Sequence, residues 1–206
     1  MNIYSMKQFL DYIKSFGELS EESLKIVTES LKEEFFHKDD YLLQAGEVCH
    51  HIRFILDGIV RILYFDKDGN EFTRYILNEN HFPVNLYSYN DEIPSSEYLH
   101  AITDCRVVSI HRHTMNALYT KVPEWTLIIK KITEKALLEK MEVKNLMLSE
   151  NATQRYLNFA ERNPDLLKRV PLGYIASFLG ITQSSLSRIR KNISKEYFLP
   201  YDKNNV

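Results

Sequence analysis

Cysteine, proline and glycine are all scarce in this chain of 206 residues, which has two, six and six of them. Two cysteines, Cys49 and Cys105, cannot build a disulfide framework and are too few to ligate an iron–sulfur cluster. A reducing, cytoplasmic setting is therefore the expectation. Long apolar runs are missing too, and no stretch approaches the roughly 20 residues of a membrane-spanning helix. The first residues, MNIYSMKQFLDYIK, mix apolar and charged side chains and lack the continuous apolar core of a secretion signal. No Ser/His/Asp grouping and no glycine-rich phosphate loop is present, so neither an enzyme nor a cofactor is expected. With 44% apolar and 26% charged residues, wholesale disorder is excluded.

The net charge of −2 hides an uneven distribution. Residues 1–149 carry 17 Lys plus Arg against 23 Asp plus Glu, and residues 150–206 carry nine against five. All seven histidines fall in the first part. A basic end on an acidic body suits a nucleic-acid-binding module attached to another domain.

Three kinds of segment follow one another. Residues 5–36 read as helical, with Phe9, Leu10 and Ile13, then Leu24, Val27 and Leu31, at helical spacing around a break at Gly17. Ser20 before Glu21 and Glu22 is a candidate N-cap. From about Tyr41 to Ile110, short β-rich runs alternate with turn signals such as Asp57-Gly58 and Asp66-Lys67-Asp68-Gly69-Asn70. Residues 59–65 and 71–77 read as a hairpin, and the whole segment as an antiparallel barrel or jelly roll. Residues 124–148 then form a long helical candidate free of Gly and Pro. Ile129, Ile132, Ala136, Val143 and Leu146 make one apolar stripe on it, interrupted by Glu139, while Leu127, Leu138 and Met141 make a second. One side is expected to meet the barrel, and the stripe of Ile129, Ile132, Ala136, Val143 and Leu146 is expected to meet a partner chain; a helix packed only along its own barrel is the alternative.

Residues 172–195, LGYIASFLGITQSSLSRIRKNISK, have the spacing of a helix-turn-helix. Ala176 lets two crossing helices approach, and Gly180 tolerates the positive φ of a tight turn. Ile175, Leu179, Ile181, Leu186 and Ile189 share the inner face. Thr182 is the candidate N-cap of the second helix, whose outer face is Gln183, Ser184, Ser187, Arg188, Lys191 and Lys195. Gln and Arg can contact adenine and guanine edges with two hydrogen bonds in the major groove, Ser and Lys suit bases or phosphates, and a helix N-terminus favours a phosphate. Double-stranded DNA is the partner these residues point to.

On these segments, together with Thr153-Gln154-Arg155-Tyr156-Leu157, the sequence resembles the Crp/Fnr family of bacterial transcription regulators along essentially its whole length. The resemblance implies an α+β fold: an N-terminal antiparallel β-roll or jelly roll of cyclic-nucleotide-binding type with flanking helices (1–123), a long dimerisation helix (124–149), and a winged-helix-like, helix-turn-helix DNA-binding domain (150–206). It implies a homodimer with two recognition helices in successive major grooves, about 34 Å apart, and it admits RNA polymerase and a small-molecule effector as further partners. The short stretch 163–171 implies a reduced wing. The family's effector cassette holds a cyclic phosphate with Arg and a ribose hydroxyl with Glu. At those positions this chain has Val84 for the Gly, Asn85 for the Glu, Leu86 after it, and Ser95 for the Arg, followed by Ser96. Lys140 and Met141 stand where two hydroxyl residues meet the base, and Glu97 would repel a phosphate. Burying a phosphate without a paired cation is costly, so the pocket is expected to be degenerate and to bind cyclic AMP weakly or not at all.

The alternative of a different class is a small-molecule- or metal-binding barrel whose C-terminal helices serve protein contacts. His111-Arg112-His113 has metal-ligand spacing but lacks the further carboxylate and histidine that a cupin needs. His50 and His51 are expected on opposite faces of a strand. No metal site is assigned.

Overall fold

The computed structural model describes the backbone of residues 3–198 and the side chains of residues 6–193. The chain divides into two compact units, Met1–Lys144 and Asn145–Val206.

The first unit opens with two short helices, α1 (Ile3–Lys14) and α2 (Glu21–Glu29). Ser20 caps α2 by accepting the Ser23 backbone N–H at 3.1 Å, with Glu21 and Glu22 in the first turn where the helix dipole favours acids. The expected helical segment ends earlier than its periodicity suggests. Residues Lys32–Phe36 are strand β1, because each of them pairs antiparallel with the strand Cys105–His111, β7. Tertiary pairing here overrides a local apolar spacing that fits either state.

Between them lie β2 (Tyr41–Leu43), β3 (His51–Asp57), β4 (Val60–Phe65), β5 (Glu71–Leu77), helix α3 (Leu86–Asp91) and β6 (Tyr98–Ala101). All pair antiparallel, in a three-stranded sheet ordered β1-β7-β3 and a four-stranded sheet ordered β2-β6-β4-β5. The hairpin read from residues 59–77 is β4–β5; Asp66 closes its turn by accepting the Asp68 and Asn70 N–H groups at 2.9 Å. Leu42, Leu43, Ile55, Ile62, Leu99 and Val107 fill the space between the sheets.

A second apolar cluster joins Phe54, Leu56, Val108 and Ile110 of β3 and β7 to the helices. Phe9 and Ile13 of α1, Val27 of α2, Met115 and Leu118 of α4 (Arg112–Lys121), and Trp125, Ile128 and Ile132 of α5 (Trp125–Ser149) complete it. Burying side chains of this size contributes roughly 1.5–3 kcal/mol each before entropy is counted.

The described elements of the second unit are all helices: the end of α5, then α6 (Ala152–Arg162), α7 (Pro164–Arg169), α8 (Leu172–Phe178) and α9 (Gln183–Phe198). Asn151 and Gln154 form a reciprocal capping box at the start of α6. The stretch expected to be a reduced wing is helix α7 instead. Pro164 sits at its first turn, Asp165 is acidic there, and Lys168 and Arg169 lie in its last turn, each favourable to a short helix.

Candidate functional site

In the second unit α8 and α9 form the expected helical hairpin. Ile175, Ala176, Leu179 and Leu186 are buried where the two helices meet, and Ile181 and Ile189 are half-buried. Gly180 takes φ +68° in the turn between them, which a side chain adopts only with strain. Thr182 caps α9, its hydroxyl accepting the Ser185 N–H at 3.2 Å and lying 3.0 Å from the Ser184 hydroxyl.

Thr182, Gln183, Ser184, Ser187, Arg188 and Lys191 are all exposed, so the residues singled out for base and phosphate contacts lie on one solvent-facing side of α9. The Lys195 side chain lies outside the described residues. Gln183 leans toward α8: a Cβ added at Gly173 would meet its Oε1 at 3.1 Å. A further cation belongs to this unit's geometry. Arg155 of α6 reaches the turn, where a Cβ at Gly180 would meet its Nη1 at 3.5 Å, and Nη1 lies 3.9 Å from the Met147 Sδ. Its signal was the Thr153-Gln154-Arg155 motif, but nothing in the spacing placed it at the turn.

The long helix α5 corrects one expectation. Ile132 is only 7% exposed and packs with Ile128 into its own domain's core, with Ile129 against the same cluster. These two positions of the stripe assigned to a partner chain are thus occupied within the protomer, because they face Trp125 and the α1 side of the core. Ala136, Val143 and Leu146 are half-buried. The apolar side chains left in solvent are Leu127, Leu137, Leu138, Met141 and Leu148, with Leu138 66% exposed. Each of Leu127, Leu138 and Met141 is displaced by two residues from the first stripe, about 200° round the helix.

The segment expected to be the effector cassette is internally bonded. Asn85 caps α3, its Oδ1 accepting the Ser88 N–H at 3.0 Å, and its Nδ2 donates to Glu97 Oε2 at 2.9 Å. The other oxygen of Glu97, Oε1, accepts from Arg74 Nη1 at 2.6 Å, and that guanidinium stacks 5.3 Å from the Tyr64 ring centre. The Ser95 hydroxyl donates to the Glu97 carbonyl at 2.8 Å and accepts its N–H at 3.1 Å. Val84, Asn85, Ser95 and Glu97 are buried, whereas Leu86, Ser96 and Met141 are exposed and join none of these bonds. Lys140 is not solvated as a surface lysine would be. Its Nζ lies 5.2 Å from the Tyr75 ring centre, and burial pushes its pKa down, with Arg74 adding to that and Glu97 opposing it. Arg74 was the residue the sequence did not reveal.

Two other polar groups were not foreseen. Arg61 is 2% exposed and bonds Glu71, with Thr73 3.4 Å and His100 Nδ1 3.4 Å away. Burial and the Arg61 charge hold His100 below the ordinary histidine pKa. His50, His51 and His113 all approach His111, with ring centres 6.1, 4.9 and 5.1 Å from it. The expected divergence of His50 and His51 fails because β3 begins only at His51, so strand alternation does not govern the pair. Among the described residues no group of three His, Cys, Asp or Glu side chains is placed to hold a metal ion. Burial raises the pKa of both Cys49 and Cys105, which disfavours the reactive thiolate. No described helix is long and apolar enough to cross a membrane.

Comparison with known proteins agrees with this geometry. Residues 33–121 match the family described as the cyclic nucleotide-binding domain. No curated protein sequence matches the chain. Among solved structures, FixK2 from Bradyrhizobium japonicum is similar at 15% identity, over 84% of this chain and 88% of that one, with a TM-score of 0.69. The c-di-GMP-responsive global regulator CLP from Xanthomonas campestris is similar at 14% identity over 86% and 93%, with a TM-score of 0.70. A Eubacterium rectale chain assigned to the Crp/Fnr family of transcriptional regulators is similar at 14% identity over 90% and 88%, with a TM-score of 0.69. Residues 33–121 therefore match the cyclic nucleotide-binding domain family, and the chain as a whole has the fold of these solved structures.

Proposed function

We propose that this protein is a sequence-specific, DNA-binding transcriptional regulator of Crp/Fnr type that acts as a homodimer, with RNA polymerase a further partner. The observation that carries the reading is the outer side of α9, where Gln183, Ser184, Ser187, Arg188 and Lys191 stand exposed on a helix braced by buried Leu179 and Leu186. Such a face has the reach and donor pattern to read base edges, and Thr182 at the helix start suits a phosphate. The exposed Leu138, Met141 and Leu148 of α5 favour pairing with a second copy, which would set two recognition helices about 34 Å apart on the duplex. The effector site is degenerate toward cyclic AMP: Val84, Asn85 and Ser95 supply neither the cation nor the close backbone approach that a cyclic phosphate needs.

Gel-shift titration across salt concentrations tests the reading. The logarithm of the affinity should fall linearly with the logarithm of salt, by about 0.9 for each phosphate contacted. Failure to bind any duplex at low salt would refute it.

A further inference from the structure

The polar groups of the effector cassette converge on one side chain of the protein itself. Glu97 is 8% exposed, and both of its carboxylate oxygens are bonded, one to Arg74 on β5 and one to Asn85 at the start of α3. The ammonium of Lys140, on α5, feels the field of the same carboxylate. In the family the resemblance points to, an external anion and an arginine meet in this cassette. Here Ser95 occupies the arginine position and spends its hydroxyl on the Glu97 backbone. A cation is supplied instead by Arg74, 23 residues away in sequence, held against Tyr64.

We propose that Glu97 is a built-in anion: its carboxylate takes the place of the effector's anionic group, tying α3 to β5 so that the domain is held in its DNA-binding arrangement without a small ligand. Only the clause about DNA rests on the function proposed above. The charge arithmetic supports the substitution. An incoming phosphate would have to displace Glu97 from Arg74, leaving a buried carboxylate without its bonded cation, and breaking a buried ion pair is costly. Arg74 and Asn85 are bonded to this carboxylate and the Lys140 charge interacts with it, so withdrawing it leaves a guanidinium and an amide without that partner and an ammonium without that attraction. That is an anion site in the making.

The test uses the full-length chain and Glu97→Ser, which removes the carboxylate and leaves room for a ligand. Inorganic phosphate is the probe, with chloride at equal ionic strength as control. Glu97→Ser should melt about 5 °C below the wild-type chain, and millimolar phosphate should restore much of that loss, since a ligand that binds only the folded state raises its stability. Adding Arg74→Gln to Glu97→Ser should abolish the rescue. A folded Glu97→Ser that phosphate does not stabilise would overturn the proposal. The wild-type chain supplies a reading that needs no variant: neither phosphate nor cyclic AMP should shift its melting temperature beyond the chloride control, and a saturable shift with either would equally overturn it. Once DNA binding is measured, wild-type affinity should be unchanged within twofold by cyclic AMP, and Glu97→Ser should lose at least tenfold, recovered by phosphate. Loss of DNA binding in every sample, with phosphate rescue of stability intact, would strike the regulator reading and leave the built-in anion standing.

Discussion

Gly58 shows how much a single position can decide. It joins β3 to β4 at φ +104°, and a Cβ there would lie 2.4 Å from the Asp104 carbonyl oxygen and 2.7 Å from the Cys105 sulfur. The Cys105 Cα would lie 2.8 Å away as well, so two of the three obstacles are backbone at the entry to β7 and cannot swing aside. Gly58→Ala should therefore cost roughly 2–5 kcal/mol, combining backbone strain with overpacking. Urea unfolding measures it, and a loss below 0.5 kcal/mol, the scatter of ordinary surface changes, would show that the turn relaxes freely. The Asp57-Gly58 turn is legible in the sequence because turn chemistry is local. The Arg74–Glu97 pair is not, since its partners meet only when β5 and β6 take their places on either side of β4. Arg61 and His100 are 39 residues apart and illustrate the same limit.

At the scale of elements, helical periodicity located α5 to within a residue at either end but did not say which way it faces. Two apolar stripes were visible on residues 124–148, and only the packing of Trp125, Ile128 and Ile132 against α1 shows which one the protomer uses for itself. The consequence is a pair of contrasting variants. Ile132→Ala should destabilise the fold by about 2–4 kcal/mol through the cavity it leaves. Leu138→Glu, at a 66% exposed site, should leave the melting temperature nearly unchanged and convert the proposed dimer to a monomer in sedimentation. A Leu138→Glu chain that sediments as a dimer would place the interface elsewhere. Residues 32–36 mark the opposite case, where helical spacing was overruled by strand pairing with β7. The helix α7 likewise replaced an expected wing, its Pro164 start being a local signal outweighed by the family pattern.

For the whole molecule, the division of charge runs close to the division into two compact units. The acidic first part holds the β-roll with its internally bonded cassette, and the basic last part holds the helix-turn-helix. That hairpin was the most legible feature because every position it needs, from Ile175 to Arg188, lies within one short segment whose inner face is buried and whose outer face is exposed. The outer face bears the central claim, and selection of duplexes from a random pool, run in parallel with the full-length chain and with Arg188→Ala, tests it most directly. The wild-type chain should enrich a two-fold symmetric site with half-sites about 34 Å apart, and Arg188→Ala should lose about 1–3 kcal/mol of discrimination at one base pair in each half. A pool that converges on no sequence, or a variant that selects the same site with undiminished preference, would contradict the account.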